Sequence, residues 1–175
     1  MNKICIIGGG YVGLPLAVLV AKKNMNVTVY DNDVVHINKL RKYKTDIENI
    51  QTADLKNKYL SFSDNINILA QSKVIIVCLP TPLKNNLPDL SIITKFLNKA
   101  LSFLKKNQTL ILESTVYPGF TRNVIAQKLN KKFKVGKNFF ICFSPERIDP
   151  GNRHHKLIQI PKILSGYSNN CLIKS

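Results

Sequence analysis

The chain has 175 residues, 45% of them hydrophobic, so it can bury one sizeable core and leaves no room for a second full domain. Its 26 basic and 10 acidic residues give a net charge of +16, which would suit a nucleic acid or a membrane surface. The lysines are scattered among many Asn and Ile residues instead of forming a stripe, so they read as solvated surface, and neither a nucleic-acid nor a membrane partner is expected.

Between Lys3 and Lys22 the chain runs eighteen residues without a charge. A basic start and an apolar centre imitate a secretory signal, and the length permits a short membrane span. Gly8, Gly9 and Gly10 would weaken a spanning helix in its middle. The preferred reading is a buried strand over 3–7 and a helix over 11–23, with Pro15 in or next to the first helical turn, where a missing N–H costs little.

Further strands are expected over 26–30, 59–62, 73–78, 109–112 and 139–143, and helices over 33–43, 63–71, 90–106 and 118–132. Asp33 is the expected cap of the second helix. Near-continuous apolar runs such as VIIVCL belong to strands buried on both faces. The alternation predicts an α/β fold: a Rossmann-like doubly wound, mainly parallel sheet with helices on both faces. Ligands of such sheets bind beyond the carboxyl ends of the strands, which directs attention to the segments 79–90, 113–119 and 144–161. After Gly166 the sequence SNNCLIKS is read as having no closing element.

Four cysteines, Cys5, Cys78, Cys142 and Cys171, form no CxxC pair and have no His at metal spacing, so no metal site is expected. Buried thiols in a reducing, cytoplasmic setting fit better than disulfides. His154 and His155 have no Cys or carboxylate company and read as solvated.

Gly8-Gly9-Gly10-Tyr11-Val12-Gly13 fits GxGxxG between a strand and a helix. Gly8 allows the tight turn, Gly10 lets backbone approach a pyrophosphate, with Tyr11 and Val12 beside it, and Gly13 permits close packing of helix on strand. The second strand ends in Asp31, eighteen residues after Gly13, where a carboxylate can accept from ribose hydroxyls and repel a 2′-phosphate. NAD is therefore the expected cofactor. The duller alternative is a glycine turn followed by a helix-capping aspartate.

IIGGGYVGLPLA, the Asp31 strand end, CLPTPL with PDLS, ESTVYPGFT and FSPERIDPGN occur in order along nearly the whole chain. Together they resemble the N-terminal, NAD-binding half of the UDP-glucose/GDP-mannose dehydrogenase family, the nucleotide-sugar 6-dehydrogenases. The form SPERIDPGN, with Pro150 before Gly151, looks more like the branch acting on UDP-N-acetylhexosamines, UDP-N-acetyl-D-glucosamine 6-dehydrogenase among them. The resemblance implies a UDP-sugar substrate whose alcohol is oxidised twice, through a thioester on a cysteine, for polysaccharide synthesis. It also implies that Thr81 lies beside the nicotinamide half of NAD and that Thr115 touches cofactor and holds the active-site water. Glu146 matches an acid/base glutamate, and Arg147 joins it as a substrate-binding candidate. Each has a plainer reading: Thr115 as a helix cap, Thr81 as a turn residue, Glu146 and Arg147 as a surface ion pair. His36 stands where many relatives carry Lys or Arg, so a cationic contact there would depend on pH.

The family's nucleophilic cysteine belongs to a C-terminal half, and none of the four cysteines here has its surroundings. Residues 1–166 are accordingly expected to be the NAD-binding domain. Residues 167–175 would begin a connection to a central helix through which full-length relatives form homodimers.

Overall fold

The computed structural model describes residues 3–48, 50–147 and 161–174. β1 (Ile4–Ile7) leads through the glycine turn to α1 (Gly13–Lys22), β2 (Val27–Tyr30), α2 (Val34–Arg41), the single turn α3 (Thr52–Leu55) and β3 (Leu60–Ser63). A 3₁₀ helix over Ile66–Gln71 precedes β4 (Val74–Val77), the hairpin strands β5 (Leu83–Lys84) and β6 (Leu87–Pro88), α4 (Ser91–Ala100) and β7 (Thr109–Leu112). A π-helical segment, Thr121–Ala126, runs into α5 (Gln127–Asn130), followed by β8 (Phe140–Phe143), β9 (Ser165–Gly166) and α6 (Asn169–Ile173).

Among the described residues seven strands make one sheet in the order β3-β2-β1-β4-β7-β8-β9. Every pairing is parallel except that of β8 with β9. The chain moves outward from β1 to β3 and then returns to place β4 on the other side of β1, so the topological switch lies between β1 and β4 and fixes where a ligand crevice opens.

Successive side chains of a strand point to opposite faces. Cys5 and Ile7 therefore join Ile75, Val77, Leu110 and Leu112 in a layer covered by Ile93, Leu97 and Ala100 of α4. Ile6, Val27, Val29 and Ile76 face the other way, against Leu14, Ala17, Val18 and Ala21 of α1 and Ile37 and Leu40 of α2. At roughly 1.5–3 kcal/mol for each large aliphatic side chain buried, these two layers outweigh any single polar contact in the molecule. No helix among the described residues is long and apolar enough to cross a membrane, and the uncharged opening run is a strand and a helix packed into these layers.

All six expected strands are present, each within a residue of its expected ends, and the fold class holds. The helices differ more. The expected helix over 63–71 is strand at Ser63 and then 3₁₀, because the Asn65 side chain accepts from Asn67 N and starts a tighter turn. The expected helix over 90–106 ends at Ala100: Phe103 N and Leu104 N both turn back to Ala100 O, and the buried Gln108 takes the Lys105 N–H at 2.8 Å. The expected helix over 118–132 starts only at Thr121, after the left-handed turn of Gly119 at φ +90°.

Past Gly166 the expectation of no closing element is corrected. Ser168 accepts the Cys171 N–H at the start of α6, Tyr167 N donates to Ile141 O, and Cys171 is fully buried against Phe140 and Cys142. The hairpin was also unforeseen. Asn85 and Asn86 supply its two positive-φ positions, 52° and 61°, as a type I′ turn requires. The expectations for Pro150, Gly151, His154 and His155 fall outside the described residues.

Candidate functional site

The site starts at the end of β1. Gly8 adopts φ +97°, and a Cβ there would stand 2.7 Å from the Cys78 carbonyl oxygen, so the turn needs glycine on two counts. Gly9 donates its N–H to Asp31 Oδ2 at 2.9 Å, which ties the loop to the end of β2. The Gly9 carbonyl accepts from His36 Nε2 at 2.9 Å, and a Cβ on Gly9 would meet that same nitrogen at 2.9 Å. The middle glycine of the run is thus the partner of His36, a relation that spacing alone does not reveal. Gly10 has nothing within 4 Å of its Cβ position, and the turn ends where Gly13 packs α1 onto β1.

Asp31 also accepts from Asp33 N at 3.1 Å, and Asp33 in turn caps α2 by accepting from His36 N at 3.0 Å. The glycine loop, the acid at the end of β2 and the first turn of α2 therefore form one hydrogen-bonded unit. A carboxylate has about four acceptor positions, so Asp31 keeps capacity for an incoming hydroxyl.

A crevice of about 800 Å³ runs from this unit along the carboxyl ends of β4, β7 and β8. Gly8, Gly10, Tyr11, Val12, Asp31, His36, Thr81, Thr115 and Glu146 all line it, so most of the expected site residues meet in one place. Gly13 and Arg147 are not among its described lining residues. Gly13 lies beneath the loop, and Arg147 is exposed, with Nη1 donating to Pro161 O at 3.2 Å.

The plainer reading of Glu146 and Arg147, a surface ion pair between their side chains, gives way to another arrangement. Glu146 accepts the Arg147 backbone N–H at 2.7 Å, and its other oxygen pairs with Lys162 at 3.2 Å. The same ammonium lies 2.7 Å from Glu113 Oε2, on a side chain only 6% exposed. Burial raises the Glu113 carboxyl above the usual glutamate range; Lys162 pulls it back, and Glu146 pushes it up further. For Lys162, burial works downward, but Glu113 and Glu146 outweigh it and the net direction is up.

The raised Glu113 carboxyl has a stability consequence. Its contribution is fully present below the unfolded value, about 4.3, and is lost as pH rises through the higher folded value. The melting temperature of Glu113→Gln relative to the unaltered protein should therefore shift in favour of the variant between about pH 4 and pH 7. Calorimetric scans across that interval check it, and a constant difference would refute it.

Sequence reasoning passed over Glu113 and Lys162. A charge directly after the buried run TLIL was a usable signal for the first. Lys162 reaches Glu113 and Glu146 from a segment with no local pattern.

The four cysteines form no disulfide and are buried. Cys78 borders the crevice, yet burial first and Glu113 second hold its thiol far above the usual range, which removes it as a nucleophile. Burial likewise pushes Cys5 up to about 12. No cluster able to hold a metal occurs among the described residues.

A family model described as the UDP-glucose/GDP-mannose dehydrogenase family, NAD binding domain, matches residues 2–174. The chain belongs to this family, as its NAD binding domain. UDP-N-acetyl-D-glucosamine 6-dehydrogenase of Pseudomonas aeruginosa is 38% identical over 168 residues, covering 94% of this chain and 40% of that protein. The enzyme of the same name from Salmonella typhi is 34% identical, over 94% of this chain and 39% of its own length. Among solved structures, the UDP-N-acetyl-mannosamine dehydrogenase Cap5O from Staphylococcus aureus superimposes with a TM-score of 0.87 at 28% identity, covering 97% of this chain and 43% of that one. This NAD binding domain thus spans about 40% of the length of the curated relatives it matches.

Proposed function

We propose that this chain is the NAD-binding half of a UDP-N-acetylhexosamine 6-dehydrogenase of the UDP-N-acetylglucosamine type, which oxidises the sugar C6 alcohol to a carboxylate for polysaccharide synthesis. The observation that carries the reading is the continuous crevice joining Asp31 and the glycine loop to Thr81, Thr115 and Glu146. Similarity to the Pseudomonas and Salmonella enzymes favours this substrate over UDP-glucose or UDP-N-acetylmannosamine. The full-length protein would act as a homodimer in the cytoplasm, with residues 167–175 leading toward its central helix.

The chain fits the cofactor on two points of its own geometry. The open space at Gly10 leaves room for a pyrophosphate against backbone, and the first turn of α1 carries no acid to oppose an anion. The backbone of Gly10, Tyr11 and Val12 would hold the phosphates, Asp31 the adenosine ribose, and Thr81 and Thr115 the nicotinamide end. NAD bound there would supply the hydride acceptor. Glu146 would take the proton released by an attacking water, with Thr115 beside it.

Calorimetric titration tests the cofactor end. NAD should bind at least about tenfold tighter than NADP, because a 2′-phosphate would sit against the Asp31 carboxylate, and Asp31→Asn should remove most of that difference, about 1.4 kcal/mol. Equal affinities in the unaltered chain would refute the assignment. Since the thiols are buried, the 175-residue chain should bind NAD without steady NADH formation from a UDP-sugar.

A further inference from the structure

The first residues of the six parallel strands pair with one another in a single row, Leu60, Val27, Ile4, Val74, Thr109 and Phe140. Within the three residues before β1, β3, β4, β7 and β8 the chain places one lysine each: Lys3, Lys58, Lys73, Lys106 and Lys137. Before β2 it places Met25, and no acid stands in any of these positions. The row is tied together through backbone, since Lys73 N donates to Lys3 O at 2.7 Å and Thr109 N to Lys73 O at 3.0 Å. All five lysines are exposed. Lysines that look scattered along the sequence are thus gathered by parallel pairing on the edge opposite the crevice, whereas Asp31, Asp64, Glu113 and Glu146 follow the carboxyl ends of β2, β3, β7 and β8.

Neighbouring strands stand about 4.8 Å apart, so the row is about 24 Å wide, and anchor points on adjacent strands fall within one Debye length, about 8 Å at physiological salt. A lysine at a helix end answers the helix dipole, which accounts for Lys22 and Lys23 of α1; the five before strands have no such reason to collect. Lys22 also holds Asp54 at 2.6 Å, so that acid does not offset the row. At the β8 end, Thr109 Oγ1 donates to Lys174 O at 3.3 Å and brings the last turn of α6 beside the start of β7. A concavity of about 390 Å³ opens there, lined by Lys137, Lys174, Asn170, Phe140 and Ile173. Ile173 is 79% exposed and Met25 44%. Lysines with apolar side chains among them make a surface that can lie on a bilayer, where ammonium groups meet lipid phosphates and aliphatic groups pass below them. The row has no arginine, the side chain whose planar fork reads the phosphates and bases of nucleic acids.

We propose that the amino-terminal edge of the sheet is a face that lies on an anionic lipid bilayer, with Lys137 and Lys174 flanking a seat for one headgroup phosphate and Ile173 entering the layer beneath the headgroups. This revises the sequence expectation of no membrane partner. The face is separate from the crevice, so the proposal does not depend on which sugar nucleotide the crevice takes. In this orientation the carboxyl ends of the strands point away from the lipid, and the crevice stays open to its ligands.

Co-sedimentation of the 175-residue chain with lipid vesicles tests this. Vesicles of phosphatidylcholine with about a third phosphatidylglycerol should bind the chain, and phosphatidylcholine alone should bind it at least about tenfold more weakly. Lys73→Gln with Lys137→Gln should weaken binding about 25-fold, roughly fivefold for each lysine. Lys84→Gln with Lys95→Gln removes the same charge away from the row and should change binding less than about twofold. The chain has no tryptophan, so Ile173→Trp supplies a single reporter whose emission should shift to the blue with the anionic vesicles. Equal losses in the two double variants would overturn the proposal, because bulk charge would then suffice. So would tight binding of duplex DNA with no emission shift on vesicles, which marks a nucleic-acid face. Binding of inorganic phosphate without binding of vesicles marks a seat for the free ion and overturns it as well. Circular dichroism checks that the variants fold; if the first double variant does not, its two single substitutions, each expected to cost about fivefold, decide the matter.

Discussion

Gly13→Ala is expected to destabilise the protein by at least about 2 kcal/mol, although alanine is the better helix former. Within a helix the change should gain about 1 kcal/mol. Against this, the new methyl carbon would stand 2.0 Å from the Gly8 carbonyl oxygen and 3.1 Å from Ile6 Cγ2. The Gly8 atom is backbone in a pinned turn, its own N–H bonded to Tyr30 O at 2.8 Å, so it cannot swing aside as a side-chain tip could. Overpacking typically costs 1–3 kcal/mol and more where the neighbours are rigid, so about 3 kcal/mol or above is appropriate here. The loss exceeds the propensity gain. Urea unfolding monitored by circular dichroism reads the difference, and an unchanged midpoint would show that α1 can move away from β1.

Gly10→Val should do the opposite, leaving stability within about 0.5 kcal/mol while weakening NAD by on the order of 100-fold, about 2.7 kcal/mol. Nothing in the protein lies within 4 Å of the position a Cβ would take, and the residue does not adopt a positive φ, so neither contact nor strain opposes the substitution. The space that valine would fill is the space proposed for the pyrophosphate. Displacement of a fluorescent NAD analogue measures it. Undiminished binding by a folded Gly10→Val chain would refute the placement of the phosphates. The two glycines thus separate cleanly: one is required by the protein's own packing, the other by what the crevice admits.

How far the sequence disclosed this arrangement depends on how local each cause is. Strands such as TLIL and FICF are buried on both faces, so composition and length alone mark them, and their ends came within a residue. The glycine loop and Asp31 were legible for the same reason, since each role depends on positions a fixed distance along one βαβ unit. The helix ends were not, because α4 stops where a buried amide far from its start takes over the hydrogen bonding, and no Gly or Pro announces it. Glu113 and Lys162 lie 49 residues apart and meet because the segment leading into β9 returns antiparallel along β8, the neighbour of β7. Such a pairing has no periodicity and no spacing rule, and folding alone brings it about.

The short antiparallel β9 has a bearing on how the chain behaves in quantity. β8 without it would present the bare amide and carbonyl row of an apolar strand, FICF, to any second copy of itself. Exposed rows of that kind recruit one another into growing stacks. Ser165 and Gly166 occupy part of the row, Tyr167 takes the Ile141 carbonyl, and α6 lies over Phe140 and Cys142, so the place where self-assembly would begin is covered by the chain's own last described residues.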